Sequence, residues 1–469
     1  MHADRLGQRL HGVAAFNEQR VRIEVVAVSA IGLAILTNGP SIALSHRYSV
    51  PLGWERWPYL IPMGIVAYVG VFLAGRSLRL DDLRPARWPL AFLGAYLAWS
   101  IASVLWSVAP DATAVRSLVT AGVSILGIWF GLSLSFREQL VSISLAATSL
   151  SFWSLALVWL QPHTHQIYPP PWHPGWHTTV FGVFGNPNSL GPVAALSVLA
   201  AIAIWVAFPS TLARSYSILS AVVGVVLVFW SQCLTAIAAL LIGIVALCVV
   251  PALRWIRRVS GWLVGTSMVL VLAVLWISIL GHLGRLTGLI GESSTLSSRR
   301  LIWADARSAI ALRPWRGYGF FAFWDSEQLT AATYQRIGAA YGSAHNSVLE
   351  VALGLGRIGL AFYLGLAVIM IAGIIRALWQ TTSLATVSWM VLTLFLIVQN
   401  SMESFVLWHS YLWVLFVAAT LVPTKLLPSL APRTSEVVED ADDNNGWLNE
   451  TDDLRVSDLQ GSTVAHVDS

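Results

Sequence analysis

Runs of about 20 apolar residues, separated by short polar stretches, recur along most of the chain. That is the length an α-helix needs to cross the hydrocarbon core of a bilayer. Read in windows, the pattern predicts about twelve transmembrane helices, at roughly 24–44, 57–75, 88–108, 115–135, 139–160, 189–208, 215–231, 233–251, 261–281, 347–375, 385–401 and 404–422. The expected fold class is an all-α membrane protein. Two interruptions are longer than a connection requires, 161–189 and 282–346. Long loops of this kind are more often functional than not. The second lies between spans 9 and 10 and has a helical period of its own. In "SSRRLIWADARSAIAL", Leu301, Ile302, Ala306 and Ile310 share one face, with Ser297 or Ser298 as a candidate N-cap. This loop is therefore expected to be partly helical.

Composition agrees. The chain has 469 residues, of which 56% are hydrophobic and only 11% charged. Soluble domains carry roughly 25% charged residues. Arg5, Arg9, Arg20 and Arg22 precede the first apolar run, which is long enough to remain as a span, so no cleavable signal is expected. The division is a short N-terminal segment (1–23), a polytopic domain (24–422) and a tail (423–469). The tail carries Glu436, Glu439, Asp440, Asp442, Asp443, Asp452 and Asp453 with no apolar period, as disordered segments do. Cys233 and Cys248 both fall in predicted spans, so neither a disulfide framework nor a cysteine metal site is expected.

Charge sets the orientation. Arg76, Arg79, Arg84 and Arg87 follow span 2, Arg137 span 4, Arg214 span 6, Arg254, Arg257 and Arg258 span 8, and Arg376 span 10. Short basic loops stay in the cytoplasm, so both termini are expected there. The two long loops are then outside. The second still holds Arg285, Arg299, Arg300, Arg307, Arg313, Arg316 and Arg336. Long loops translocate despite charge, and arginines outside fit an anionic lipid or substrate better than nucleic acid. In the first loop, His163, His165, His173 and His177 have zinc-like spacing, but prolines and aromatics surround them without a carboxylate or cysteine. No metal and no cofactor are expected. Most tryptophans should be interfacial anchors.

Three outer stretches carry candidate chemistry. They are "FGVFGNPNSLGP" (181–192), "SSRRLIWADARSAIALRPWRGYGFFAF" (297–323) and "YGSAHNSVLEVALGLGRIGLAFYLG" (341–365). The last begins polar, with His345 and Asn346, and becomes an apolar helix carrying Glu350. These stretches resemble the O-antigen ligase and polysaccharide polymerase family. The resemblance rests on an arginine before a hydrophobic–Trp pair (Arg299, Ile302, Trp303), a turn of Pro314, Gly317 and Gly319, and a helix entry of His345, Asn346, Leu349, Glu350, Gly356 and Gly359. It extends from about Phe181 to the last span. One departure stands out. Where many members carry a basic residue, "SQCLTAIAAL" has Leu234, beside Ser231, Gln232 and Thr235.

The resemblance implies a glycosyltransferase at the outer face of the bacterial cytoplasmic membrane. Its partners would be a polyprenyl-diphosphate-linked oligosaccharide donor, a glycan or glycolipid acceptor, and membrane lipid. Elementary chemistry fits. Arginine forks bind phosphate oxygens bidentately, and a histidine can take the proton of an acceptor hydroxyl. The candidate catalytic residues are His345 as base and Glu350, one turn on, as its support. The candidate substrate contacts are Arg299, Arg300, Arg316, Asn346, Asn186 and Asn188. Plainer readings stand beside each: a helix-capping histidine, lipid-anchoring arginines, a carboxylate at a helix N-terminus and a capping asparagine. The alternative function is a glycolipid transporter or flippase. Ionisable residues lining a path would favour it, yet Glu24 and Glu403 lie near span ends. Polymerase and ligase are not separable by these motifs.

Overall fold

A computed structural model describes residues 23–37, 57–167, 178–255, 293–337, 342–380, 383–404 and 410–426. Apart from three single-turn helices (Leu80–Leu83, Pro162–His165 and Pro423–Leu426), the described α-helices are α1 (Ile23–Ile35), α2 (Trp57–Ser77), α3 (Arg87–Ala102), α4 (Pro110–Ser133), α5 (Phe136–Leu160), α6 (Pro187–Ala207), α7 (Thr211–Trp230), α8 (Leu234–Trp255), α9 (Ser293–Leu312), α10 (Glu327–Ile337), α11 (Ser347–Gln380), α12 (Leu384–Met402) and α13 (Tyr411–Leu421). A two-residue antiparallel ladder joins β1 (Gln166–Ile167) to β2 (Thr179–Val180). Among the described residues, seven helices (α3, extended by one 3₁₀ turn to Trp106, α4, α5, α6, α7, α11 and α12) are long and apolar enough to cross a membrane. Four more apolar helices, within α1, α2 and α8 and at α13, are shorter. The expected ninth span (261–281), the N-terminal segment, His173, His177 and the acidic tail beyond Leu426 lie outside the described residues.

This is an all-α polytopic membrane protein, and its packing shows how the bundle holds together. Apolar side chains such as Tyr68, Phe72, Leu105, Trp159 and Leu160 are exposed, as lipid-facing residues are. Small and hydroxylated residues lie between helices instead, where they permit close approach and interhelical hydrogen bonds. Thr148 Oγ1 and Ser220 Oγ meet at 2.7 Å between α5 and α7. Trp413 Nε1 donates to Ser124 Oγ at 2.8 Å, tying α13 to α4. Much of α6 is buried, with Leu190, Val193, Ala194 and Ala195 facing neighbours, so it runs through the centre.

The two ends of the bundle differ. Ser77 and Ser133 approach to 3.3 Å at one end, beside Arg76. At that end too, Arg137 lies over Phe208 and Arg214 over Trp205, at the turn between α6 and α7. At the other end, the loop segment between α9 and α11 folds back onto the helices. Val108 N–H donates to Tyr318 O at 3.0 Å, and the Arg116 guanidinium bonds Phe321 O and the Asp325 carboxylate.

Two expectations change in detail. The loop helix begins at Ser293, so Ser297 and Ser298 lie inside it rather than capping it. The span expected at 347–375 runs from Ser347 to Gln380 but breaks at Gly356, where φ is 65° and ψ −165°. The break is where the Pro314–Gly319 turn crosses α11. Tyr318 N–H donates to Leu353 O (3.0 Å), Gly319 N–H to Gly354 O (2.9 Å), and Arg357 N–H to Pro314 O (2.8 Å). The turn thus replaces helical partners that the break removes, as buried backbone groups require. Only glycine fits: a Cβ on Gly356 would lie 2.3 Å from the carbonyl of Trp315, and one on Gly317, at φ 66°, 2.6 Å from that of Gly354.

Candidate active site

The loop entry to α11 is held by bonds on every side. Asn346 caps the helix, its Oδ1 accepting from Leu349 N–H at 3.0 Å. Its Nδ2 donates to Ser401 O at 2.9 Å, and its N–H to Ser404 Oγ at 3.1 Å. Ser347 Oγ donates to Asn400 Oδ1 at 2.6 Å and also approaches Glu403 O at 3.1 Å. The entry is therefore stitched to the end of α12.

The motif around Arg299 contributes through one face of α9. Residues three and four apart share a helix face. Ile302 is buried with Tyr318, Phe323, Trp324, Ala344 and Leu353. Trp303 Nε1 donates to Ala344 O at 2.9 Å. Arg299, one turn earlier, donates from Nη2 to Glu403 Oε1 at 2.5 Å.

The same carboxylate meets the imidazole: His345 Nδ1 lies 2.8 Å from Glu403 Oε2. Glu403 is 1% exposed, whereas Arg299 and His345 keep 15% and 17% of their side chains exposed. One buried anion thus joins two groups that reach the surface. Burial pushes the Glu403 carboxyl up, but Arg299 and His345 more than offset this and hold it below the usual carboxylate range. His345 itself has φ 48°, in the left-handed region that a residue with a Cβ seldom adopts. Such backbone persists where its surroundings over-determine it, and it clusters at functional sites.

The sequence reading set Glu350 beside His345 as its support. In the structure Glu350 is 4% exposed, and its oxygens accept from Trp324 Nε1 (3.0 and 3.2 Å) and from Ala344 N–H (2.6 Å). It clasps the loop, and Glu403 is the carboxylate bonded to the imidazole. Arg300 is exposed on α9. Arg316 is exposed as well, with its guanidinium over the Trp106 ring and its carbonyl accepting from Trp106 Nε1. Asn186 caps α6, accepting Asn188 N–H at 2.8 Å. The two asparagines stand at the same end as the cluster, since Gly191, on the next turn of α6, packs against Cys233. Cys233 in turn feels the charges of Glu403 and Arg299. The Ser231–Thr235 turn, with Leu234 in place of a cation, therefore borders the site. Among the described residues, no group of three or more His, Cys, Asp or Glu could hold a metal.

Sequence reasoning noted Glu403 only as a charge near a span end and passed over Arg116. The available signal for Glu403 was an ionisable side chain at the end of a span, which merits a named partner. Arg116 likewise stands early in α4, where a charge among apolar residues needs a counter-ion. Its counter-ion is Asp325.

The fold and site define a polytopic membrane protein with a histidine, a carboxylate and an arginine gathered at one end of a helical bundle. Residues 219–364 match a family model described as O-antigen ligase. Over that stretch the resemblance read from the motifs around Arg299, Pro314 and His345 is borne out; residues 181–192 and the spans beyond 364 lie outside the match. Arg299, Arg300, Arg316, His345, Asn346 and Glu350 lie inside the matched stretch, and Asn186, Asn188 and Glu403 lie outside it. No curated protein matches the chain.

Proposed function

We propose that this protein transfers glycan from a polyprenyl-diphosphate-linked donor to a sugar hydroxyl, at the outer face of a bacterial cytoplasmic membrane. The observation that supports this reading best is the shared carboxylate: Glu403 bonds both His345 and Arg299, each of which keeps a surface open. His345 acts as the general base. Its Nδ1 faces Glu403, and its other ring nitrogen, Nε2, takes the acceptor proton. The acceptor oxygen attacks the anomeric carbon, the bond from that carbon to the diphosphate oxygen breaks, and the electron pair leaves with the diphosphate. Arg299 keeps further N–H donors beyond the one on Glu403 and meets the diphosphate with them. Arg300 and Arg316 add positive charge on the exposed side. Electrostatic stabilisation and positioning carry the step without a metal.

The outer location rests on charge. Arg76, Arg137 and Arg214 gather at the end of the bundle away from His345, and short basic loops are retained in the cytoplasm. Both termini are then cytoplasmic.

Purified protein incubated with lipid-linked repeat units tests the reading. A ladder of product lengths indicates a polymerase, and a single transfer to a distinct acceptor indicates a ligase. Movement of intact donor across vesicles with no new glycosidic bond would contradict both and favour a flippase.

A further inference from the structure

We propose that Glu403 is the positioning residue of this site, setting the orientation of the base and the cation together. The inference rests on the reading of His345 and Arg299 given above, and it concerns a residue outside the stretch matched by the family model.

Glu403 is held before it holds anything else. It closes the end of α12, its N–H donating to Gln399 O at 2.8 Å, and its own backbone is extended (φ −140°, ψ 154°). Its carbonyl oxygen lies 3.1 Å from Ser347 Oγ, and the next residue's Oγ takes Asn346 N–H. The backbones of Glu403 and His345 are thus locked together by bonds that do not involve either functional side chain. Ala344, on the other side of His345, is pinned by Trp303 through its carbonyl and by Glu350 through its N–H. With both neighbours fixed, His345 is kept in its left-handed conformation and its ring is aimed at Glu403 Oε2.

A counter-ion for Arg299 would need only one oxygen on the guanidinium. Here the two oxygens divide the work, Oε1 to Arg299 and Oε2 to His345. A carboxylate is acceptor-only, so the Nδ1 facing it carries the hydrogen and Nε2 presents its lone pair. When Nε2 takes the acceptor's proton, the new imidazolium already has its anion in contact. A carboxylate fixes ring tautomer and orientation in this way elsewhere: for metal-bound imidazoles its loss typically costs about 10–100-fold, and for a general-base imidazole its replacement by the amide costs about 10⁴-fold. Full burial of Glu403 keeps water from competing for either oxygen. An isolated carboxylate so buried would be costly, and its two partners offset that cost.

The test uses the full chain in one detergent or nanodisc, with lipid-linked donor and single-turnover transfer. The variants are Glu403→Gln, Glu403→Asp, His345→Ala and the double variant His345→Ala/Glu403→Gln. Binding of polyprenyl diphosphate is measured separately. Glu403→Gln should lose about 10²–10⁴-fold in the transfer rate, as loss of the base itself would, with a smaller change in diphosphate affinity. The double variant should lose clearly less than the product of the two single losses, because the part of Glu403's role that acts through His345 is already gone and only the part through Arg299 remains. If Glu403→Gln does not fold, Glu403→Asp decides. It keeps the charge but is a methylene short of spanning both partners, so it should also be slow. A multiplicative loss in the double variant, or a wild-type rate in either single Glu403 variant, would overturn the role. A wild-type rate in His345→Ala would instead refute the reading of the base, so the two failures are distinguishable.

Discussion

Replacing Glu350 separates support from chemistry. In Glu350→Ala, Trp324 Nε1 and Ala344 N–H both lose their acceptor in a buried setting. An orphaned buried donor costs about 1–3 kcal/mol, so the two together should cost about 2–6 kcal/mol. The void left by the side chain adds to this. Glu350→Gln keeps one acceptor oxygen, which can serve Ala344 N–H or Trp324 Nε1, and should recover about half of the loss. The assay is thermal melting of the purified chain in a single detergent, with transfer measured on the same samples well below the melting range. Alanine should melt lowest, glutamine between it and the wild type, and the glutamine variant should still transfer at a rate within a few-fold of wild type. Wild-type melting for Glu350→Ala would refute the clasp. Normal melting of Glu350→Gln with transfer lowered a hundredfold or more would return Glu350 to the chemistry.

Arg299→Lys keeps a charge beside Glu403 but lacks a fork that can reach carboxylate and phosphate together. It should melt near wild type and bind polyprenyl diphosphate tenfold or more weakly, for a lost contact of about 1.5–3 kcal/mol; unchanged affinity would remove Arg299 from the diphosphate site. Gly356→Ala puts a Cβ 2.3 Å from Trp315 backbone at φ 65° and should lower the melting temperature sharply, whereas Gly64→Ala, with nothing within 4 Å, should not. Equal melting of those two variants would mean that the break at Gly356 is not required. A cysteine at Ser343 should react with a membrane-impermeant thiol reagent on intact cells, above the background set by Cys233 and Cys248. Reaction only after permeabilisation would invert the topology.

The membrane architecture was legible because apolar runs of bilayer length have few other uses. Eleven of the predicted spans fall wholly or partly on described helices. Their limits were less legible. The apolar pattern runs unbroken through 347–375, yet the helix breaks at Gly356 because a turn 40 residues earlier crosses it there. Periodicity records what a segment buries, and it is silent about what crosses that segment. The same limit governed the site. Arg299 and His345 were found because they stand in recognisable local motifs. Glu403 lies 58 residues from His345 and 104 from Arg299. At the end of a span, a lone glutamate reads as an interfacial charge until the fold supplies its partners. Glu350 was drawn toward His345 by the opposite effect: five residues away in sequence, it turns its carboxylate to Trp324 and Ala344. Asn186 was read as a substrate contact or as a cap and does cap a helix, and Asn346, read as a substrate contact, caps one too.

The central claim is that His345 removes the proton from the acceptor hydroxyl. The most direct measurement is single-turnover transfer from a lipid-linked donor by His345→Ala, beside binding of polyprenyl diphosphate to the same preparation. A general base contributes about 10²–10⁴-fold. The account predicts a fall of that size in the transfer rate, with diphosphate affinity retained because Arg299 and Glu403 are untouched. Transfer at the wild-type rate by a folded His345→Ala protein would contradict it.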